Sequence, residues 1–199
     1  MKANEKHRAR DAAKALRIKL AKAGKSTAPQ GLRDNILSCL GGFGVLPPAV
    51  VAGYCPVGGE IDPLAAMQGL VARGFRLALP VIEDDDAPLA FRQWEANAAL
   101  RVGRRGILIP MDAAPPARPA LILAPMLAFD AEGYRLGWGG GYYDRTIAAL
   151  RTGGDPVVVV GVAYEGQRLA ATPRDRHDEP LDWIVTEETA TRIERRTGG

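Results

Sequence analysis

"ALILAPMLAFDAEGYRLGWGGGYYDR", residues 120–145, decides how this chain folds. ALILAPML (120–127) is short, apolar and free of charge, the pattern of a strand buried on both faces of a parallel sheet. AFDAEGY turns the chain. RLGWGGGYYDR (135–145) then places four glycines, at 137, 139, 140 and 141, ahead of a segment that reads as a helix over 142–151. A strand that runs through a glycine-rich loop into a helix is the ligand-binding unit of open α/β sheets. Such a loop lies beyond the carboxyl end of its strand, where ligands gather.

Working outward, the pattern repeats. Residues 4–23 lack Pro and are rich in Ala, Lys, Leu and Arg, so they predict a helix stopped by Gly24. A second helix is expected over 31–40. VVAGYCP (50–56) reads as a buried strand, and Asp62-Pro63 opens a helix over 63–73 that Gly74 stops. RLALPVI (76–82) is the next strand, Glu83–Asp86 a solvated turn, and LAFRQW (89–94) an edge strand. Residues 95–119, with four prolines, predict an irregular surface crossing. PVVVVGVAY (156–164) and LDWIVTEE (181–188) supply the last strands, with a short amphipathic helix expected after them. The alternation predicts an α/β fold with a largely parallel sheet and helices on both faces. Without an internal repeat or a linker, residues 1–199 are expected to form one domain.

Composition narrows the class. The 199 residues are 47% hydrophobic and 25% charged, as in globular proteins. No apolar run approaches the roughly 18–20 residues needed to span a bilayer, so no membrane partner is expected. MKANEKHRARDAAK has no apolar core of the kind a secretory signal carries. Cys39 and Cys55 lack CxxC spacing and read as reduced, buried thiols in a cytoplasmic protein. Residues 1–25 hold nine Lys/Arg against Glu5 and Asp11, a net of +7, so the remainder carries −4 of the overall +3. Basic charge this local fits an anion bound at the first helix better than a nucleic-acid-coating surface.

The glycine stretch is the strongest functional signal. Glycines let the backbone approach a ligand and turn several N–H groups toward it, and the following helix adds its positive end. Asp144 satisfies that helix end, and beside a phosphate it can also hold Mg²⁺. The G-x-G-x-x-G pattern fails at Tyr142. KLAKAGKS (19–26) has Lys19 where a P-loop needs its first glycine, and Gly24-Lys25-Ser26 reads as a helix end. His7 and His177 are too few for a histidine metal cluster.

RLGWGGGYYDR resembles the R-L-G-x-G-x-G-Y-Y-D signature of the 5-formyltetrahydrofolate cyclo-ligase family. GYCPVGGEIDP (53–63), LALPVI (77–82), APMLAFDAEGYRLG (124–137) and RHDEPLDWIVTE (176–187) resemble its other segments in order. KHRAR (6–10) is similar to the family's K-x-x-L-R with Ala9 in place of Leu, although Lys14 and Arg17 align with it through a gap. The resemblance implies a three-layer α/β/α sandwich of the sugar-phosphate isomerase and CoA transferase type. It also implies ATP- and Mg²⁺-dependent conversion of 5-formyltetrahydrofolate to 5,10-methenyltetrahydrofolate, through phosphorylation of the formyl oxygen.

The same resemblance implies the site. Lys6, Arg10 and Arg145 are the catalytic cations. ATP is held by Lys6, Arg10, Arg135, Leu136, Gly137, Trp138, Gly139, Gly140, Gly141, Tyr142 and Tyr143, with Arg135 and Arg145 at the rim. The folate meets Tyr54, Cys55, Glu60, Trp138 and Tyr142, and Glu60 accepts hydrogen bonds from two adjacent pterin N–H groups. Asp144 and Asp178 hold Mg²⁺, and Asp182 orients the last strand. Partners are the reduced folate and ATP, with the protein a monomer or weak homodimer. Two alternatives stay open at this point: another ATP-dependent ligase or kinase of the same fold, and a nucleic-acid-binding protein using the basic first helix.

Overall fold

The structure, a computed structural model, describes residues 2–24, 27–154 and 156–194. In chain order the elements are α1 (Lys2–Ala23), α2 (Ala28–Ser38), α3 (Leu40–Phe43), β1 (Val50–Ala52), α4 (Leu64–Val71), β2 (Arg76–Val81), β3 (Ala90–Gln93), β4 (Leu100–Val102), β5 (Leu108–Pro110), β6 (Leu121–Pro125), β7 (Ala128–Phe129), β8 (Arg135–Leu136), α5 (Tyr142–Thr152), β9 (Val158–Val162), β10 (Trp183–Val185) and β11 (Ala190–Arg192). Seven strands form one sheet in the order β11-β10-β9-β6-β1-β2-β3. The five inner strands pair in parallel, and β3 and β11 close the edges antiparallel.

Alternation along the strands fixes the layers. Val51, Leu77, Leu79, Leu121, Leu123 and Val160 face one side and pack on Leu32 and Ile36 of α2 and Met67 and Leu70 of α4. Val50, Ala52, Ala78, Ile122, Ala124 and Val159 face the other and pack on Ile147 of α5 and Phe129. Because both faces are covered, the inner strands read as unbroken apolar runs. The expected α/β architecture, with helices on both sides of a mostly parallel sheet, is what forms.

Four details differ from expectation. Residues 190–192 form the edge strand β11 on β10, not a helix; Thr191 pairs with Ile184, and the exposed backbone of β10 needs that partner. The 95–119 segment contains the β4–β5 hairpin, turned through Arg104–Gly106. Its prolines sit at the strand end and beyond, where no ladder N–H is required. β1 is shorter than VVAGYCP: the chain leaves the sheet after Gly53, whose missing side chain makes room for Met67. Asp62 accepts from the Leu64 N–H as a helix-start residue does, and Asp182 accepts from Val159 N–H beside β10. Both cysteines are free and half-buried rather than buried. The first helix ends at Ala23 before Gly24, while Lys25 and Ser26 lie outside the described residues. No helix among the described residues is long and apolar enough to cross a membrane.

Candidate functional site

A cavity of about 840 Å³ opens beyond the carboxyl ends of three adjacent parallel strands. Tyr54 and Cys55 follow β1, Pro80 and Ile82 end β2, and Pro125 ends β6; all five line it. The glycine-rich loop lines it from residue 137 to 141, α1 contributes Lys6 and Arg10, and the β4–β5 hairpin contributes Arg104, Arg105, Ile107 and Ile109.

The loop is shaped by its glycines. Gly139 (φ +106°) and Gly141 (φ +67°) adopt backbone that L side chains rarely take, and Gly141 stands immediately before α5. No backbone carbonyl among the described residues accepts the N–H groups of Gly139, Gly140, Gly141, Tyr142 or Tyr143. The loop therefore presents a run of donors backed by the positive end of α5. Two of its carbonyls are taken by guanidinium groups: Arg10 donates to Gly137 O at 3.1 Å and Arg145 to Gly140 O at 2.8 Å.

Lys6 and Arg10, one turn apart on α1, both line the cavity. The Lys6 ammonium lies 2.8 Å from the carboxylates of Asp175 and Asp178. Burial works against that charge, but the two aspartates outweigh it and hold the lysine above its ordinary pKa. Lys14 and Arg17, the other alignment, are not among the residues that line the cavity: both rest against the Trp138 ring, and Arg17 donates to Glu60.

Asp144 sits in the first turn of α5, where its Oδ1 accepts from Arg135 Nη2 and, at 3.0 Å, from the Glu179 N–H. Burial raises its carboxyl above the ordinary value, with Arg135 and that N–H pulling the other way. Arg135 is not at the rim. It is buried, because β8 pairs with β7 beneath the loop, and it donates to Asp144 and to Glu179 O. Leu136, its neighbour, is equally enclosed, packing on Ala13 of α1. Arg145 does lie nearer the surface, donating to the carbonyls of Asp85, Ala87 and Gly140.

The two signature tyrosines part company. Tyr142 donates to Asp85 at 2.8 Å, beneath the guanidinium groups of Arg105 and Arg145. Burial pushes the Tyr143 phenol well above its ordinary value, and the charge of Glu60 adds to the rise. Tyr143 packs against the cluster around Ile147 and Phe129.

Glu60 is almost enclosed, at 9% exposure. Its Oε1 accepts from Arg17 Nη1 at 3.2 Å and from the Trp138 indole N–H at 3.1 Å; Oε2 accepts from the Val57 N–H at 3.0 Å. Burial raises the Glu60 carboxyl despite these three donors. Tyr54 donates to Ile61 O at 2.7 Å, which fixes the segment carrying Glu60, and burial pushes the Cys55 thiol up, away from reactivity. His177 is exposed beside Asp178.

Among the described residues no three His, Cys, Asp or Glu side chains are grouped to hold a metal. Sequence reasoning missed three elements: Arg17 as the buried partner of Glu60, Asp175 as the second partner of Lys6, and the Asp85–Arg105 pair beside Tyr142. The spacing of Arg10, Lys14 and Arg17, four and three apart, puts them on one stripe of α1 and is the signal that was available.

The 5-formyltetrahydrofolate cyclo-ligase family model matches residues 4–187. The 5-formyltetrahydrofolate cyclo-ligase of Escherichia coli K12 is 33% identical over 149 residues, covering 70% of this chain and 81% of that protein. That of Mycolicibacterium smegmatis is 30% identical over 176 residues, covering 81% and 87%. The solved structure of Aquifex aeolicus 5,10-methenyltetrahydrofolate synthetase superposes with a TM-score of 0.78 at 31% identity, covering 98% of this chain and 94% of that one. The Mycoplasma pneumoniae 5,10-methenyltetrahydrofolate synthetase shares the fold, with a TM-score of 0.70 at 23% identity over 92% and 99%.

Proposed function

The chain belongs to the 5-formyltetrahydrofolate cyclo-ligase family, and from that membership we propose that it converts 5-formyltetrahydrofolate and ATP into 5,10-methenyltetrahydrofolate, ADP and phosphate. One observation carries the proposal. A single cavity is lined both by a buried carboxylate, Glu60, and by a donor-rich glycine loop framed by Lys6, Arg10 and Arg145.

The chemical difficulty is the formyl oxygen, an amide-like leaving group. In the proposed course that oxygen attacks the γ-phosphorus of ATP and the bond to ADP breaks. N10 of the folate then bonds to the activated formyl carbon, the carbon–oxygen bond breaks, and phosphate departs with the former formyl oxygen. N10 gives up its proton, leaving the cationic methenyl bridge. Such transfers need positioning and charge stabilisation more than covalent help from the protein.

Each residue has a part in that reading. The N–H groups of Gly139–Tyr143 hold phosphate oxygens, and Lys6 and Arg10 neutralise them from α1. Arg145 braces the loop through Gly140 O and lines the same cavity. Glu60 holds the pterin by its N–H groups, keeping the formyl group aimed across the cavity. Pro80, Ile82 and Leu89 supply apolar wall that excludes water.

Asp144 and Asp178 fit a magnesium ion: Mg²⁺ is commonly held by one or two carboxylates, with substrate phosphates and water completing its shell. When bound, it supplies positive charge to the phosphate oxygens. Arg135 then serves by orienting Asp144, the role its buried position allows.

Against the nucleic-acid alternative stands the disposition of α1: Lys6 and Arg17 have side chains 15% and 0% exposed and are paired with acids rather than turned to solvent. Incubating the protein with 5-formyltetrahydrofolate, ATP and Mg²⁺ tests the proposal. Appearance of the methenyltetrahydrofolate absorption is expected, and its absence with all three present sinks the reading.

A further inference from the structure

Glu60 has little capacity left for a ligand. A carboxylate offers about four lone-pair sites, and Oε1 already accepts from both Arg17 and Trp138 while Oε2 accepts from Val57. Arg17 cannot leave: it is fully buried and also donates to Gly58 O, Val57 O and Met126 O. Val57 is held by its own backbone three residues from Glu60. Trp138 is different. It is 47% exposed, belongs to the glycine loop rather than to the Glu60 segment, and reaches Glu60 only by its indole N–H. Its ring rests on Gly58, where an added Cβ would stand 2.9 Å from Cη2, and against Arg17 and Lys14.

Trp138 is also flanked by two glycines. A Cβ at Gly137 would meet nothing within 4 Å, and Gly139 sits at φ +106° against the Arg10 guanidinium. A shift of Trp138 that involves its backbone therefore carries with it the loop's free N–H groups and the Arg10 contact.

We infer that Trp138 is a positioning residue that latches the glycine loop to Glu60 until the folate's own N–H groups replace its indole N–H. The inference rests on the function proposed above. It makes folate binding and nucleotide binding interdependent: folate releases the latch, and the released loop takes the triphosphate. The energetic coupling between the two ligands then passes through one hydrogen bond, and by linkage it is the same read from either side.

The test is Trp138→Phe, which keeps an aromatic ring and removes the N–H. Binding of 5-formyltetrahydrofolate is measured by calorimetry with and without a β,γ-imido analogue of ATP. In the wild type the analogue is expected to tighten folate binding about fivefold or more. In W138F, folate without nucleotide should bind about three- to tenfold more tightly, because one competing donor is gone, and the analogue should change that by no more than about twofold. Weaker folate binding in W138F, as a plain stacking role requires, overturns the latch. So does unchanged affinity, or coupling that persists in the variant or is missing from the wild type. A second measurement needs no variant. The Trp138 indole ¹⁵N–¹H resonance of the wild type should shift when 5-formyltetrahydrofolate saturates the protein, and a resonance that stays in place contradicts the release. Wild-type protein that binds no folate at all condemns the proposed function itself, and the latch with it; folate binding without these changes condemns the latch alone.

Discussion

The Lys6 ammonium and the Asp178 carboxylate stand 2.8 Å apart although 172 positions separate them in the chain. That contact ties the start of α1 to the segment before β10, and Lys6, Asp175 and Asp178 all line the cavity. It also keeps a cation and a carboxylate at the end of the site where phosphate and magnesium are proposed to meet.

Replacing Lys6 by Met should therefore act on ATP rather than on the fold. The KM for ATP should rise about 10- to 100-fold with kcat also reduced, while the thermal midpoint changes little, since partly exposed ion pairs contribute about 1 kcal/mol or less. Steady-state kinetics with ATP varied checks this; an unchanged KM for ATP removes Lys6 from the phosphate site.

Asp144→Asn should raise the Mg²⁺ concentration giving half-maximal rate by about tenfold or more, in line with the loss of a charged ligand. A magnesium titration of both proteins decides it. Identical titration curves would show that Asp144 serves only Arg135 and the start of α5.

Glu60 gives a pH prediction. Burial raises its carboxyl above the ordinary value of 4.5, and the ionised form is the one that accepts pterin N–H groups. Folate affinity should consequently be full above the raised pKa and fall as the pH drops through it, at higher pH than an exposed glutamate would give. Glu60→Gln should flatten that acid limb and weaken folate binding. A limb that persists in the variant would assign it to another group.

The glycines of the loop are not equivalent. Gly139→Ala places a side chain at positive φ with its Cβ 3.2 Å from Arg10 Cζ, so ATP affinity should fall about tenfold or more. Gly137→Ala meets nothing within 4 Å and should bind ATP almost normally. Equal losses at both positions would contradict the loop geometry.

Packing against the sheet gives a prediction about stability. At Gly161 in β9, an added Cβ would lie 2.5 Å from Leu181 Cδ1 and 2.9 Å from Met126 Cε. Gly161→Ala should cost about 1–3 kcal/mol by overpacking, lowering the midpoint of a thermal scan by several degrees. A midpoint within one degree of wild type would mean the core yields there.

Much of this molecule is legible from periodicity and composition. The apolar runs at 76–82, 120–127 and 156–164 announce strands covered on both faces, and the glycine cluster announces a loop that must approach something. What stayed hidden is of two kinds. Strand ends and the β11 edge depend on pairing between distant segments, which local pattern does not encode: Thr191 extends only because Ile184 lies beside it. Pairings of charged residues are equally non-local. Arg17 reads as one more basic residue on a basic helix until the fold brings it to Glu60, 43 positions away. Arg135, placed at the rim by its position before the loop, is drawn inside because β7 and β8 form a buried hairpin beneath it.

The central claim is that the formyl oxygen takes the γ-phosphoryl group within this cavity, and isotope transfer tests it most directly. 5-Formyltetrahydrofolate carrying ¹⁸O in its formyl group, turned over with unlabelled ATP, should yield methenyltetrahydrofolate together with phosphate containing one ¹⁸O per turnover. Unlabelled phosphate, with the ¹⁸O recovered in water, would contradict the account.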